Sequence, residues 1–142
     1  MRFFTARKTC VSSSIEHKSN SRSISTNAGN VEGTYGIPAG RIRLAQNEKP
    51  IETAVRELYE ETGITIESSI LTQLPTHYRA TLDRSDGSRK NFEMIVFAGI
   101  YTSGKLRKSK ETTPEWVVVA RLHHYNLLRN VLDMINEGIM IL

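Results

Sequence analysis

Residues 48–64 read EKPIETAVRELYEETGI. Pro50 suits the first position of a helix, and its ring disfavours helix at Lys49, which marks the boundary. Gly63 suits the left-handed residue that ends one, with Ile64 folding back on Leu58 or Tyr59. Between those limits Ile51, Ala54, Val55 and Leu58 form one apolar stripe. At 100° per residue, Glu57, Glu60 and Glu61 fall within about 100° of arc at the rim of that stripe.

For stability alone the acids are badly placed. Glu60 and Glu61 lie at the negative end of the helix dipole, at a cost of roughly 0.3–1 kcal/mol each. Glu57 and Glu61 are a like-charge i,i+4 pair. Arg56 offsets part of this through Glu60. A solvated acidic face is the commonest use of glutamates on a helix. A local rule broken without local gain also marks a functional site, and clustered carboxylates suit a hard divalent cation.

Outward from this helix, residues 9–16 and 22–26 read as weak strands around a turn at 18–21, and residues 27–36 as loop. A short strand is expected at Arg41 to Leu44. Further strands are expected at 66–74, 77–83, 92–101 and Trp116 to Ala120, with a hairpin turn at 85–88. The run FEMIVFAGIY at 92–101 is apolar almost throughout, as for a strand covered on both faces. Leu127, Leu128, Val131, Leu132 and Ile135 outline a second amphipathic helix ending near Gly138. Strands mixed with helices imply a sheet with helices packed on its faces.

The 142 residues are the usual size of one domain, so a single domain over 1–142 is expected, with 1–8 a disordered or atypical N-terminus. A formal charge of +4 favours anionic partners, but so small an excess speaks for solubility before a nucleic-acid surface. No apolar run approaches the ~20 residues of a membrane span. Cys10, the only cysteine, excludes an intrachain disulfide and a cysteine zinc cluster. It fits a reducing compartment, and a cytoplasmic location is expected. Residues 1–30 are serine-rich and basic, partly as in an organelle transit peptide. Two polar edge strands are the preferred reading.

Glu48, Arg56, Glu57, Leu58, Glu60, Glu61, Gly63 and Ile64 together make E-x7-R-E-U-x-E-E-x-G-U, where U is a bulky aliphatic. The pattern resembles the Nudix box, the signature of hydrolases acting on a nucleoside diphosphate linked to another group. Tyr35 to Gly40 resembles the lead-in to that box, Glu111 to Trp116 the downstream glutamate and strand, and Leu127 to Val131 the start of the last helix. The resemblance implies an α/β fold, an α/β/α sandwich with a mixed β-sheet. It implies Mg²⁺, with Mn²⁺ as an alternative, and a small-molecule nucleotide substrate. Glu60 and Glu61 would be the central metal ligands, and Glu57 a ligand or the base that activates water. Arg56 would hold the glutamates in place. Glu48 and the Gly40 carbonyl would be outer ligands, and Glu111 a ligand or base delivered by a loop.

Two departures stand out. Seven residues (RIRLAQN) separate Gly40 from Glu48 where the box normally has five, and Asn47 replaces the usual glycine before Glu48. The segment RSIST also lacks the basic residues many members carry near its end for substrate. Asn130 matches an asparagine that some triphosphate-cleaving members use on the base; the alternative is a first-turn polar residue. Tyr78 lies near a substrate tyrosine of diadenosine-polyphosphate enzymes; the alternative is a strand aromatic on a sheet face. Arg41, beside Gly40, is the third residue expected at the substrate. Trp116 reads as core, His123-His124 as exposed turn, and the basic run from Lys105 to Lys110 as a solvated loop that would otherwise attract phosphates toward Glu111. The expected reaction is hydrolysis of a nucleoside triphosphate to monophosphate and pyrophosphate. Rival readings are an ADP-ribose, nucleotide-sugar or dinucleotide pyrophosphatase, and a Nudix fold that only binds nucleotide or RNA. A homodimer is left open, and no membrane partner is expected.

Overall fold

A computed structural model describes residues 8–16, 34–83, 86–101, 103–109 and 113–142. The expected strand at 22–26 and Glu111 lie outside them. The elements are β1 (Lys8–Glu16), β2 (Thr34–Tyr35), β3 (Ala39–Arg41), α1 (Pro50–Thr62), β4 (Ile64–Thr65), β5 (Leu71–Gln73), β6 (Tyr78–Asp83), β7 (Arg89–Ile100), β8 (Ser103–Gly104), β9 (Asn126–Leu127) and α2 (Val131–Ile141).

Among the described residues the main sheet runs β3-β1-β7-β5, with β6 on the same edge of β7 as β5. β1 and β3 are parallel, with Ser13 opposite Gly40. β7 is antiparallel to β1, β5 and β6, so the sheet is mixed. The apolar run of β7 alternates between two cores. Ile95 and Phe97 pack with Ala54 and Leu58 of α1, together with Ile64, Ile66 and Leu71. Val96 and Ala98 pack with Met134 of α2 and with Leu74. Successive side chains of a strand point to opposite faces, so α1 and α2 cover the two faces of the sheet. The α/β/α sandwich with a mixed sheet is thus as expected.

The box helix ends where its residues dictate. Glu52 reaches back to accept the Lys49 N–H at 2.8 Å, closing the first turn. Gly63 is left-handed at φ 77°, and its N–H returns to the Tyr59 carbonyl at 2.8 Å. Ile64 is buried beside Leu58.

Several boundaries differ from expectation. The strand expected at 66–74 is reduced to β5 at Leu71–Gln73, after a 3-10 turn at Ser68–Ile70, and β2 at Thr34–Tyr35 falls within the expected loop 27–36. The strand expected at Arg41 to Leu44 is β3 at Ala39–Arg41, followed by a 3-10 turn at Leu44–Gln46. Trp116 to Ala120 forms no strand; the chain enters a 3-10 turn at Val119–His124. Val118 keeps a single bridge, and side-chain packing holds the rest. Trp116 stacks edge-on against Tyr101, centroids 5.2 Å apart, and Leu122 turns inward. The last helix starts at Val131, not near Leu127, and runs through Gly138 to Ile141. Leu127 instead pairs with Tyr35 in β2–β9, and left-handed Asn130 (φ 68°) delays the first helical turn. Gly138 is buried within the helix and does not end it.

Candidate active site

The carboxylates of the box helix meet the sheet at β3. Gly40 is buried, and a Cβ placed on it would lie 1.8 Å from Glu57 Cδ. Only glycine leaves room for that carboxylate against the strand. Glu61 Oε2 accepts the Ala39 N–H at 3.3 Å. Two of the three acids therefore contact one short strand, and the third, Glu60, lies at the open rim.

Arg56 organises the rest. Its Nε and Nη2 donate to Glu48 Oε1 at 2.6 Å and Oε2 at 3.1 Å, a two-pronged pairing. Nη2 also donates to the Arg41 carbonyl at 3.0 Å, which ties α1 to the end of β3. Nη1 donates to both Glu57 Oε1 and, at 3.2 Å, Glu60 Oε2. One nitrogen thus draws together two carboxylates that would otherwise repel.

Glu48 has a fuller set of partners than an outer ligand would need. Besides Arg56 it accepts the Arg43 N–H and the Thr53 hydroxyl, both at 2.8 Å. The Arg56 hydrogen bond, against the opposing effect of burial, holds its carboxyl at about 2. Arg56 in turn is raised above its ordinary range, chiefly by Glu48. Glu57 goes the other way: burial pushes its carboxyl up, while Arg56 pulls it down. A cation arriving at Glu57 would oppose that penalty, since a nearby positive charge favours the ionised form.

Among the described residues no three His, Cys, Asp or Glu side chains converge into a ready cage. The donor chemistry nevertheless fits a hard divalent cation. Glu57, Glu60 and Glu61 offer only oxygen. Glu57 and Glu60 share a single guanidinium nitrogen, a position a cation can take over.

The expected substrate residues divide between two places. Arg41 sits on β3 next to Gly40, beside the carboxylates. Tyr78 and Asn130 come together at the junction of β6 and α2, the helix on the opposite face from α1. The Tyr78 hydroxyl donates to Glu137 at 2.6 Å, and burial and that carboxylate raise its pKa. Thr76 adds its N–H at 3.2 Å and its hydroxyl at 2.8 Å to the other Glu137 oxygen, Oε1. Asn130 Nδ2 donates to the Arg79 carbonyl at 3.1 Å. Both residues fasten α2 to β6.

Two residues escaped the sequence reading. Thr53 is fully buried, with its hydroxyl on Glu48 and on the Lys49 carbonyl at 3.2 Å. A threonine on a helix's inner face carries no pattern that would single it out. Arg43 lies in the lengthened Gly40–Glu48 loop, its Nη2 3.5 Å from Glu60 Oε1. The two extra residues were the available signal.

The acids at the helix terminus are also answered locally. Arg107 N–H donates to the Thr62 carbonyl at 2.8 Å, and its guanidinium lies 5.0 Å from the Tyr59 ring centroid. A cation at the negative end of the dipole is favourable.

A family model described as NUDIX domain matches residues 21–135, which include every described side chain of the carboxylate cluster. No curated protein matches the chain.

Proposed function

The chain belongs to the NUDIX domain family, whose members hydrolyse nucleoside diphosphates linked to another group, and on that premise we propose that it cleaves nucleoside triphosphates to monophosphate and pyrophosphate. It is a pyrophosphohydrolase acting on phosphorus-containing anhydrides, and the family generally uses a divalent metal. The observation that carries the site is the contact of Glu57 with Gly40, alongside Glu61 on Ala39. Glu57, Glu60 and Glu61 would hold Mg²⁺ or Mn²⁺. Such an ion neutralises diphosphate oxygens and lowers the pKa of bound water.

The chain's own residues supply the remainder. Glu57, whose carboxylate lies against Gly40, would either ligate that ion or accept a proton from the attacking water. Arg56 keeps Glu57 and Glu60 on the same side of α1. Glu48 holds Arg56 and the loop after β3, so it acts through other groups. Glu111 is the alternative base. The triphosphate preference rests on the match of Glu111 to Trp116 and of Asn130 to triphosphate-cleaving members. The lone cysteine supports a reducing, cytoplasmic setting. Among the described residues no helix is long and apolar enough to cross a membrane.

The test is a panel of the common nucleoside triphosphates, an oxidised guanine triphosphate and ADP-ribose, each with Mg²⁺, with products identified. Monophosphate plus pyrophosphate from a triphosphate is expected. ADP-ribose as the best substrate by a wide margin, giving AMP and ribose phosphate, overturns the substrate class. Tight binding of one nucleotide without any hydrolysis overturns the triphosphatase reading.

A further inference from the structure

The loop that departs from the box pattern brings a cation to the carboxylates. After β3 the chain makes a 3-10 turn at Leu44–Gln46 and returns through left-handed Asn47, φ 53°. The neck of this loop is Arg43. Its N–H is held by Glu48 Oε2 at 2.8 Å, and its carbonyl accepts the N–H groups of Gln46 at 2.9 Å and Glu48 at 3.3 Å. Its backbone is therefore fixed to the same glutamate that fixes Arg56. Its side chain is 46% exposed and ends 3.5 Å from Glu60 Oε1, while Arg56 holds the other oxygen, Oε2. Each oxygen of Glu60 thus faces a guanidinium. The two are unequal. Arg56 is enclosed and multiply bonded, whereas the Arg43 pair is open to solvent on both sides, and such pairs are weak and easily exchanged. The charge of Arg43 also acts on Glu57.

We infer that Arg43 is a positioning and substrate-contacting cation of this site: it holds Glu60 in the metal-free enzyme and turns to a phosphate oxygen of the substrate once a divalent ion takes that carboxylate. The inference rests on the reading of Glu60 as a metal ligand. A guanidinium fits the second task, because its planar fork matches phosphate oxygens in pairs. A pinned backbone with an exposed side chain is what such an exchange needs. The role also accounts for a lengthened loop next to the carboxylates.

The experiment measures Mn²⁺ binding by the loss of the free-ion EPR signal, without nucleotide, in wild type, Arg43→Gln, Arg43→Lys and Glu60→Gln. Calorimetry then measures binding of inorganic pyrophosphate at saturating Mn²⁺. Arg43→Gln removes a cation that competes for Glu60, so Mn²⁺ should bind about two- to five-fold tighter, the range of an exposed pair. The same variant should bind pyrophosphate about ten-fold more weakly, the loss expected of one charged phosphate contact, and Arg43→Lys should recover most of that loss. Mn²⁺ affinity no tighter in Arg43→Gln, or pyrophosphate affinity unchanged, overturns the role of Arg43. Glu60→Gln separates the two readings. If it binds Mn²⁺ like wild type, the ligand assignment of Glu60 is what fails.

Discussion

Removing Arg56 tests the organisation of the site without requiring a substrate. The perturbation is a double-mutant cycle of Arg56→Met and Glu48→Gln, in metal-free protein. Arg56 and Glu48 side chains are 18% and 11% exposed, joined by two hydrogen bonds of 2.6 and 3.1 Å. A carboxyl lowered from 4.5 to about 2 corresponds to roughly 3 kcal/mol of linkage at neutral pH. Solvent at the open side of the pair screens part of it, so a coupling energy of about 2 kcal/mol is expected, above the ~0–1 kcal/mol of exposed pairs. Arg56→Met alone should cost more, about 3 kcal/mol, because it also leaves Glu57 and Glu60 facing each other and the Arg41 carbonyl without its donor. The sign with pH follows from the depressed carboxyl. The advantage of wild type over Glu48→Gln is complete above the unfolded value and is lost as pH falls through the folded one. About half of it should be gone near pH 3. Urea unfolding followed by the fluorescence of Trp116, which packs against Tyr101, reads these quantities between pH 7 and 3. A coupling below about 0.5 kcal/mol, or a gap that does not narrow with acid, would refute the reasoning.

Gly40→Ala should place a methyl group on the Glu57 carboxylate, 1.8 Å from its Cδ as it stands. Because the obstructing atoms end a flexible side chain, stability should change by under ~1 kcal/mol, while kcat falls at least about ten-fold; an unchanged kcat would separate Gly40 from the site. Glu60→Gln and Glu61→Gln should each lower turnover by at least about 10²-fold, with folding unchanged or improved by relief of repulsion. Near-normal Mg²⁺-dependent turnover in both would remove them from the ligand set. Asn130→Gly keeps the left-handed backbone of φ 68° but deletes the amide. If that amide reads a base edge, kcat/KM for the preferred base should drop by roughly 1–3 kcal/mol while other bases are little affected. A uniform, small change across bases would confine Asn130 to anchoring α2 on the Arg79 carbonyl.

Much of this chain is legible locally. The limits of α1 are set by Pro50 and Gly63, whose backbone preferences do not depend on the rest of the fold. The burial of β7 on both faces follows from its unbroken apolar run. The carboxylate arc of Glu57, Glu60 and Glu61 follows from helical spacing alone. What the sequence left open lies where long-range contacts outweigh local preference. Val117 and Val118 favour a strand, yet Val118 makes only an isolated bridge before the turn at Val119–His124, where Leu122 is buried. Leu127 completes an apolar period, yet it pairs with Tyr35 and the helix waits for Val131. Glu48 stands at the head of the box, but only tertiary structure shows its oxygens shared among Arg56, Arg43 and Thr53. Tyr78 and Asn130 were matched by position, and the fold joins them to α2 on the face away from α1, because strand alternation and the two-sided sheet, not sequence distance, decide which side chains meet.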